Sequence, residues 1–148
     1  MKLALRNAIA LLVMACCLAL ASLAQQPAPL RAPATPLIVH DPYLSVWSTY
    51  DHLTDGPTRH WTGSAQPING IIRVDGKSWR YLGDADKSLP ALEETHRDIT
   101  PTRTMVTLEN PQIELRLCVL TPALPNDLDV MARPVTYLTA IQSGPCIL

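Results

Sequence analysis

The histidines of this chain lack the short spacing of zinc-binding motifs. His40, His52, His60 and His96 each stand without a nearby histidine or cysteine at the interval that a zinc helix or knuckle uses. A metal site would have to be assembled from distant parts of the chain, so we predict no metal ligand and no cofactor. The sequence also lacks the G-x-S-x-G nucleophile elbow, the phosphate-binding loop and the G-x-G-x-x-G dinucleotide motif.

Three acidic residues offer the chemistry of a glycosidase, which uses two carboxylates at a set distance in space. Asp41, Asp51 and Asp55 fall in polar segments, and nothing in the sequence fixes their separation. Asp residues in such segments commonly accept hydrogen bonds from nearby backbone amides and so form turns. We therefore interpret these three as turn formers and predict no catalytic residue in the chain.

Two cysteines follow the N-terminal apolar segment. Cys118 and Cys146 could form a disulfide in an oxidising compartment. However, Cys118 alternates with Glu114 and Arg116 on a predicted strand, so its side chain should point away from the apolar face. Cys146 is two residues from the end of the sequence. We expect two unpaired thiols, and the sequence alone does not decide the pairing.

The aromatic residues are concentrated in one part of the chain and suit two roles. Flat rings can stack on sugars, or they can fill the core of a domain that contains no Phe. Trp79 and Tyr81 share parity on a predicted strand, which favours the core. Trp61 lies beside His60 in a polar loop. For Trp61, a contact with a ligand or another domain is as much expected as a place in the core. The candidate ligand-contacting residues are Trp47, His60 and Trp61.

The N-terminus has the three parts of a secretory signal peptide. Residues 1–24 contain two basic residues, an apolar run over 8–20 and small residues before an expected cut after Ala24. The run is shorter than the roughly 20 residues of a membrane-spanning helix, so no stable span is expected after processing. We predict a secreted or periplasmic protein. The alternative is a lipoprotein anchored at Cys16.

Composition limits what the mature chain can bind. Removing Lys2 and Arg6 from the 12 basic residues leaves 10 against 13 acidic ones, a net charge of −3. Nucleic-acid binding needs a concentrated basic surface, so we predict no nucleic-acid partner. Proline is frequent in residues 25–36, which predicts an extended linker. The domain itself is predicted over 37–141, followed by a divergent tail over 142–148.

The elements expected to position the candidate residues are short antiparallel strands. Asp75-Gly76 between two alternating runs predicts a hairpin with a type I′ turn. Further strands are predicted over 102–109, 112–121 and 134–141, and the only weak helix candidate is Leu89–Thr95. The fold class is therefore mainly β, a partial antiparallel β-sandwich preceded by the signal-peptide helix and the Pro-rich linker.

Several motifs occur in a recognisable order and spacing. They are Pro-Tyr-Leu with a following Trp (42–47), Trp-x-Gly (61–63), Gly-Ile-Ile-Arg-Val-Asp-Gly (70–76), Pro-Thr-Arg-Thr (101–104) and a run ending in Arg-Pro-Val-Thr-Tyr-Leu (120–138). Through these motifs, residues 33–83 and 99–139 resemble the N-terminal region of the glutaminase A family. The resemblance identifies the domain as the incomplete N-terminal β-sandwich region of that family.

This resemblance implies a function for a larger protein. Family members continue into a helical toroid that is expected to hold the catalytic residues and to hydrolyse the side-chain amide of glutamine, and some members are expected to act on glycosides. The chain is then a fragment of a secreted hydrolase, inactive alone, whose partner is the missing helical catalytic domain. The open face of a partial sandwich predicts marginal stability. The alternatives are a secreted carbohydrate-binding module, with a small-molecule or glycan ligand, and a non-functional gene fragment from a truncated reading frame.

Overall fold

The computed structural model describes residues 31–143, which form nine strands and one short helix. Residues 1–30, with the predicted signal peptide, Cys16 and the first half of the linker, and residues 144–148, with Cys146, lie outside the described residues. The elements are β1 (Thr35–Val39), β2 (Ser45–Ser48), β3 (Arg59–His60), β4 (Gly70–Val74), β5 (Lys77–Leu82), β6 (Glu93–Ile99), β7 (Arg103–Asn110), β8 (Ile113–Leu120), α1 (Leu128–Met131) and β9 (Tyr137–Ser143).

The strands form three antiparallel sheets, which confirms the predicted mainly β fold. The first sheet has the order β1-β2-β3, the second is the hairpin β4-β5, and the third has the order β6-β7-β8-β9. Every pairing between neighbouring strands is antiparallel. Among residues 31–143, no helix is both long and apolar enough to cross a membrane.

The predicted β4–β5 hairpin is confirmed together with its turn. Val74 pairs with Lys77 across the turn, and the two residues between them have positive φ angles, 49° at Asp75 and 78° at Gly76. Two successive positive φ angles define the type I′ turn, which matches the right-handed twist of the flanking strands. Local turn chemistry therefore specifies the turn of this hairpin.

Strand β1 begins at Thr35, inside the segment that the sequence assigns to the linker. The Thr35 side chain is fully buried and accepts a hydrogen bond from Arg97 of β6. Because Pro36 occupies a position where the β1–β2 pairing shifts register, the strand tolerates the proline that favoured a linker there.

The helix predicted over Leu89–Thr95 is wrong. Glu93 begins strand β6, and Glu94 pairs with Leu108 of β7. Just before the strand, the Leu92 amide donates to the carbonyl of Arg80 at 2.9 Å. These long-range pairings outweigh the weak local helical preference, as tertiary context commonly does. The only helix among the described residues is α1, which Asp127 caps by accepting from the Val130 amide.

The core lies between the four-stranded sheet and the other two sheets. Its buried apolar residues come mainly from β7 and β8, with contributions from β1, β5 and two connecting segments, and they are Leu37, Leu53, Leu82, Leu92, Val106, Leu108, Ile113, Leu115, Leu117 and Val119. Trp79 and Tyr81 pack against this cluster, as their shared parity predicts. Cys118 lies on the other face of β8, as expected, and is a free cysteine within the described residues.

The second layer does not extend as far as the last strand. Strand β1 contacts β7 and β8, whereas every residue of β9 is exposed. Beside β9 an apolar groove of about 150 Å³ opens between Leu37, Leu82, Val119 and Leu138. The side chain of Leu138 is 52% exposed although it lines this groove. The sandwich is therefore open on the β9 side.

Candidate functional site

A tight turn between β1 and β2 carries the residues that build the candidate site. Asp41 Oδ1 accepts hydrogen bonds from the amides of Tyr43 at 2.7 Å and Leu44 at 2.8 Å. The bonds from Leu44 and then Tyr43 lower the pKa of the Asp41 carboxyl from its ordinary value. Pro42 stands between Asp41 and Tyr43 in the sequence, so this Asx turn fixes the direction of the Pro42 carbonyl.

The Pro42 carbonyl accepts two side-chain hydrogen bonds from β3 and the residue after it. His60 Nε2 lies 2.9 Å from this oxygen, and Trp61 Nε1 lies 2.8 Å from it. Because a carbonyl oxygen only accepts, Nε2 carries the His60 proton. His60 Nδ1 then accepts from the Thr62 amide at 3.2 Å. Both ring nitrogens of His60 are therefore engaged, so His60 positions the turn and is not a free general base.

Two exposed aromatic rings lie at this turn, Tyr43 on the turn itself and Trp61 bonded to it from the end of β3. The side chain of Tyr43 is 89% exposed and that of Trp61 is 62% exposed. The Trp61 ring packs against His60 with centroids 5.5 Å apart and planes tilted by 42°. We call Pro42, Tyr43, His60, Trp61 and Thr62 the aromatic tip. An exposed ring held by a hydrogen bond at one edge is a surface on which an apolar face can stack.

The structure separates Trp47 from the other two candidate residues. Val46 pairs with His60, and Trp47 pairs with Arg59. Because side chains alternate along a strand, Trp47 and His60 lie on opposite faces of the sheet. Trp47 Nε1 donates to Ser45 Oγ at 2.7 Å, and the residue is half-buried. His60 and Trp61 therefore lie together at the Pro42 carbonyl, and Trp47 lies on the other face of the sheet.

The long polar segment before the aromatic tip packs into its own domain. Leu53 is fully buried, and its carbonyl accepts from the Gly83 amide at 2.9 Å. The hydroxyl of Thr58, which is also fully buried, accepts from the Ile68 amide at 2.7 Å. Such contacts give a rigid base to the β2–β3 connection. They explain why a loop of this length is tolerated in a compact domain.

A nearly buried ion pair joins that segment to β6 and β1. The Arg97 and Glu94 side chains are 14% and 6% exposed and contact each other at 2.5 Å. Glu94 Oε2 accepts from the Leu53 amide at 3.0 Å, while Arg97 donates to the Asp51 carbonyl at 2.9 Å and to the Thr35 hydroxyl. One ion pair thus connects three parts of the fold that are distant in sequence.

Two of the three acidic residues that suggested glycosidase chemistry accept hydrogen bonds from backbone amides through their carboxylates. Asp41 closes the turn described above, and Asp55 Oδ2 accepts from the His52 amide at 2.9 Å. The Asp51 carbonyl accepts from Arg97. Within residues 31–143, no three His, Cys, Asp or Glu side chains are grouped so as to hold a metal ion.

Loss of the Asp41 carboxylate should loosen the aromatic tip. Because the folded-state pKa of Asp41 is lowered, its stabilisation is complete above about pH 4 and is lost as the pH falls through that lowered pKa. In Asp41→Ala, we expect faster hydrogen exchange of the Trp61 indole N–H at neutral pH, measured by NMR. Asp41→Asn, which keeps an acceptor oxygen, should exchange more slowly than Asp41→Ala.

A second exposed turn supplies the control. Asp86 Oδ1 accepts from the Ser88 hydroxyl and from the Ser88 amide at 3.0 Å, and these two bonds, the hydroxyl's first, lower the pKa of Asp86. Asp86→Ala should leave the Trp61 exchange rate unchanged because it does not touch Pro42. Equal acceleration in both alanine variants would contradict the proposed link between Asp41 and Trp61.

The sequence predicted His60 and Trp61 as candidate residues but not the contact that brings them together. Their shared partner is a main-chain carbonyl, which no side-chain motif reveals. Tyr43 stood out in the sequence as part of the Pro-Tyr-Leu motif, not as a candidate ligand-contacting residue. The one local signal was Asp41 two and three residues before the amides it binds, which is typical of an Asx turn.

Comparison with known proteins gives two matches. Residues 10–93 match the family described as "Domain of unknown function (DUF4964)". The chain is also 32% identical to a protein named glutaminase A from Aspergillus oryzae, over 82% of this chain and 20% of that protein. The chain thus spans about a fifth of the length of that relative, and the resemblance to the glutaminase A family is confirmed. No solved structure gave a significant match.

Proposed function

Because the chain belongs to the DUF4964 family, we propose that it acts as the accessory, non-catalytic β-sandwich portion of a secreted glutaminase-A-like hydrolase. The observation that carries the proposal is the unequal coverage of the alignment, 82% of this chain against 20% of the Aspergillus oryzae glutaminase A. About four fifths of that relative lies outside the aligned region. We propose that the complete protein hydrolyses the glutamine side-chain amide in a helical domain outside the aligned region.

The engagement of the polar side chains supports a non-catalytic role. Amide hydrolysis requires a positioned nucleophile and a group that can transfer a proton. His60 has both ring nitrogens bound, and Asp41 and Asp55 accept from backbone amides. In the described part of the chain, these three groups hold turns together.

The open groove beside β9 supports contact with the rest of the hydrolase. Its walls are apolar, and Leu138 remains half exposed within it. An uncovered apolar surface beside a packed core is typical of a site that another part of the protein covers. We therefore assign this groove to the remaining portion of the hydrolase, which would complete the sandwich there.

Two activity measurements test the proposal. The full chain alone should release no ammonia from glutamine above the buffer rate. When it is added to Aspergillus oryzae glutaminase A that lacks the aligned N-terminal fifth, ammonia release should rise at least severalfold. Leu138→Asp should abolish this rise because it places a charge in the groove. Thr95→Asp, an exposed substitution on β6 at the other edge, should leave it intact.

The accessory role of the chain and the groove as its contact surface can each be overturned separately. Enzyme-like ammonia release by the chain alone would overturn the accessory role. If the truncated relative is neither bound nor activated by the chain, support of the hydrolase is excluded. Activation that Leu138→Asp leaves unchanged would exclude the groove as the contact surface.

The proposal includes export, which rests on the signal-peptide pattern of residues 1–24. Mass spectrometry of the protein recovered from its host should find a mature N-terminus at Gln25. A lipidated N-terminus at Cys16 would instead show a membrane-anchored protein.

The aromatic tip favours a second candidate function, a carbohydrate-binding module. Tyr43 and Trp61 are the two exposed rings that flank the Pro42 carbonyl, and exposed rings stack on sugars. On a glycan array, Trp61→Ala should lose at least tenfold in binding, whereas Tyr137→Ala, an exposed ring on β9, should bind as the unmodified chain does. Absence of any glycan signal would exclude this candidate.

A further inference from the structure

The two edges of the four-stranded sheet differ in charge. Strand β6, with the sequence EETHRDI, carries four charged residues and a shift of register between Glu94 and His96. Charged side chains and bulges are the features by which natural proteins prevent an edge strand from pairing with another chain. This edge is therefore protected.

The other edge has none of these features. Strand β9, with the sequence YLTAIQS, contains no charged residue and no proline. It pairs with β8 over seven consecutive residues without a shift of register. In the part of the chain that the structure describes, β8 is its only partner, so one row of β9 backbone N–H and C=O groups is unpaired. All seven residues are exposed.

We propose that β9 pairs antiparallel with β9 of a second copy of this chain, joining two four-stranded sheets into one. Identical strands that pair antiparallel are related by a two-fold axis, so each residue and its partner exchange roles across the axis. Ala140 is the central residue of Tyr137–Ser143, and pairing about it engages the full length of both strands.

The residues opposite each other across this axis are compatible. Ala140 faces the same residue of the second copy, which places two small side chains at the centre. Thr139 of each copy is opposite Ile141 of the other copy, and these β-branched residues pair favourably across strands. Leu138 is opposite Gln142. No charge meets a like charge, so a second copy fits this edge without electrostatic repulsion.

The size of the contact sets the expected strength. A pair of seven-residue strands buries less than the roughly 1,200–2,000 Å² of a standard protein interface. Main-chain hydrogen bonds supply most of the attraction, as in other cases of strand addition. The dimer should therefore be reversible and depend on concentration. It goes beyond the proposed function, because it requires no part of the hydrolase.

Sedimentation velocity of the full chain tests the proposal between about 1 and about 100 µM. The average mass should rise from the monomer value towards twice that value. Ala140→Lys and Ala140→Glu should each weaken the dimer at least tenfold, because each places like charges opposite one another. An equal mixture of the two variants should restore the dimer, since lysine then faces glutamate. Circular dichroism checks that both variants fold.

The outcomes are decisive. Thr95→Lys on β6 should dimerise like the unmodified chain, as a charge on the protected edge does not affect β9. A monomer at every concentration would overturn the proposal, and so would a dimer that neither Ala140 variant weakens. Failure of the mixture to exceed each variant alone would overturn the two-fold pairing at Ala140. None of these results depends on hydrolase activity.

Discussion

Replacing Leu108 with alanine should lower the free energy of unfolding by about 2–5 kcal/mol. The Leu108 side chain is fully buried in the core and pairs with Leu115, which is 1% exposed. Removing three methylene-sized groups here forfeits their burial and leaves a cavity, because the neighbouring strands cannot close around it. Chemical denaturation with urea, followed by circular dichroism, measures the change.

A leucine of the same sheet supplies the control. Leu138 lies on the same side of the sheet as Leu108 but is 52% exposed beside β9. Leu138→Ala should cost less than about 1 kcal/mol, because little apolar surface is removed from the interior. Equal losses in the two variants would contradict the assignment of the core to the β7–β8 centre and the open groove to the β9 side.

Removal of the Glu94 carboxylate should be comparably destabilising, by about 3–5 kcal/mol. In Glu94→Ala the Arg97 guanidinium keeps its charge in a nearly buried position, and the Leu53 amide loses its acceptor. An unpaired charge in such a site costs more than the original pair contributed. Urea denaturation again measures the effect.

Two further variants make this test specific. The double variant Glu94→Leu with Arg97→Met should be less destabilised than Glu94→Ala alone, since it leaves no unpaired charge. Glu114→Ala breaks a more exposed ion pair. In this pair Arg116 Nε lies 2.7 Å from Glu114 Oε1, and the Arg116 side chain is 67% exposed. It should cost less than about 1 kcal/mol. A double variant worse than Glu94→Ala would contradict the argument.

The parts of the fold that follow from local chemistry were predictable from the sequence. Asp75-Gly76 specifies its own turn. The alternation of Glu114, Arg116 and Cys118 with apolar residues correctly predicted which face of β8 is buried. In each case, neighbouring residues carry the whole signal.

The parts decided by distant contacts were not predictable. The charge-rich segment that forms β6 has no apolar alternation, and its pairing with β7 makes it a strand. Leu53 is a single apolar residue in a polar stretch, yet it is fully buried. The Glu94–Arg97 pair and the Pro42 carbonyl join residues whose separation in sequence gives no pattern to detect. Candidate site residues were therefore found individually, and their grouping was not.

The order of strands in the third sheet has a kinetic consequence. The strands β6, β7, β8 and β9 are neighbours in both sequence and space. Pairing β6 with β7 and β7 with β8 closes only short turns, and β8 joins β9 through residues 121–136. Strand β1, by contrast, reaches this sheet through contacts 68 residues apart, from Thr104 to Pro36, and 82 residues apart, from Val39 to Thr121. Contacts of high sequence separation form slowly. The C-terminal meander is therefore the expected folding nucleus, and the N-terminal strand docks last, after the meander has left the ribosome.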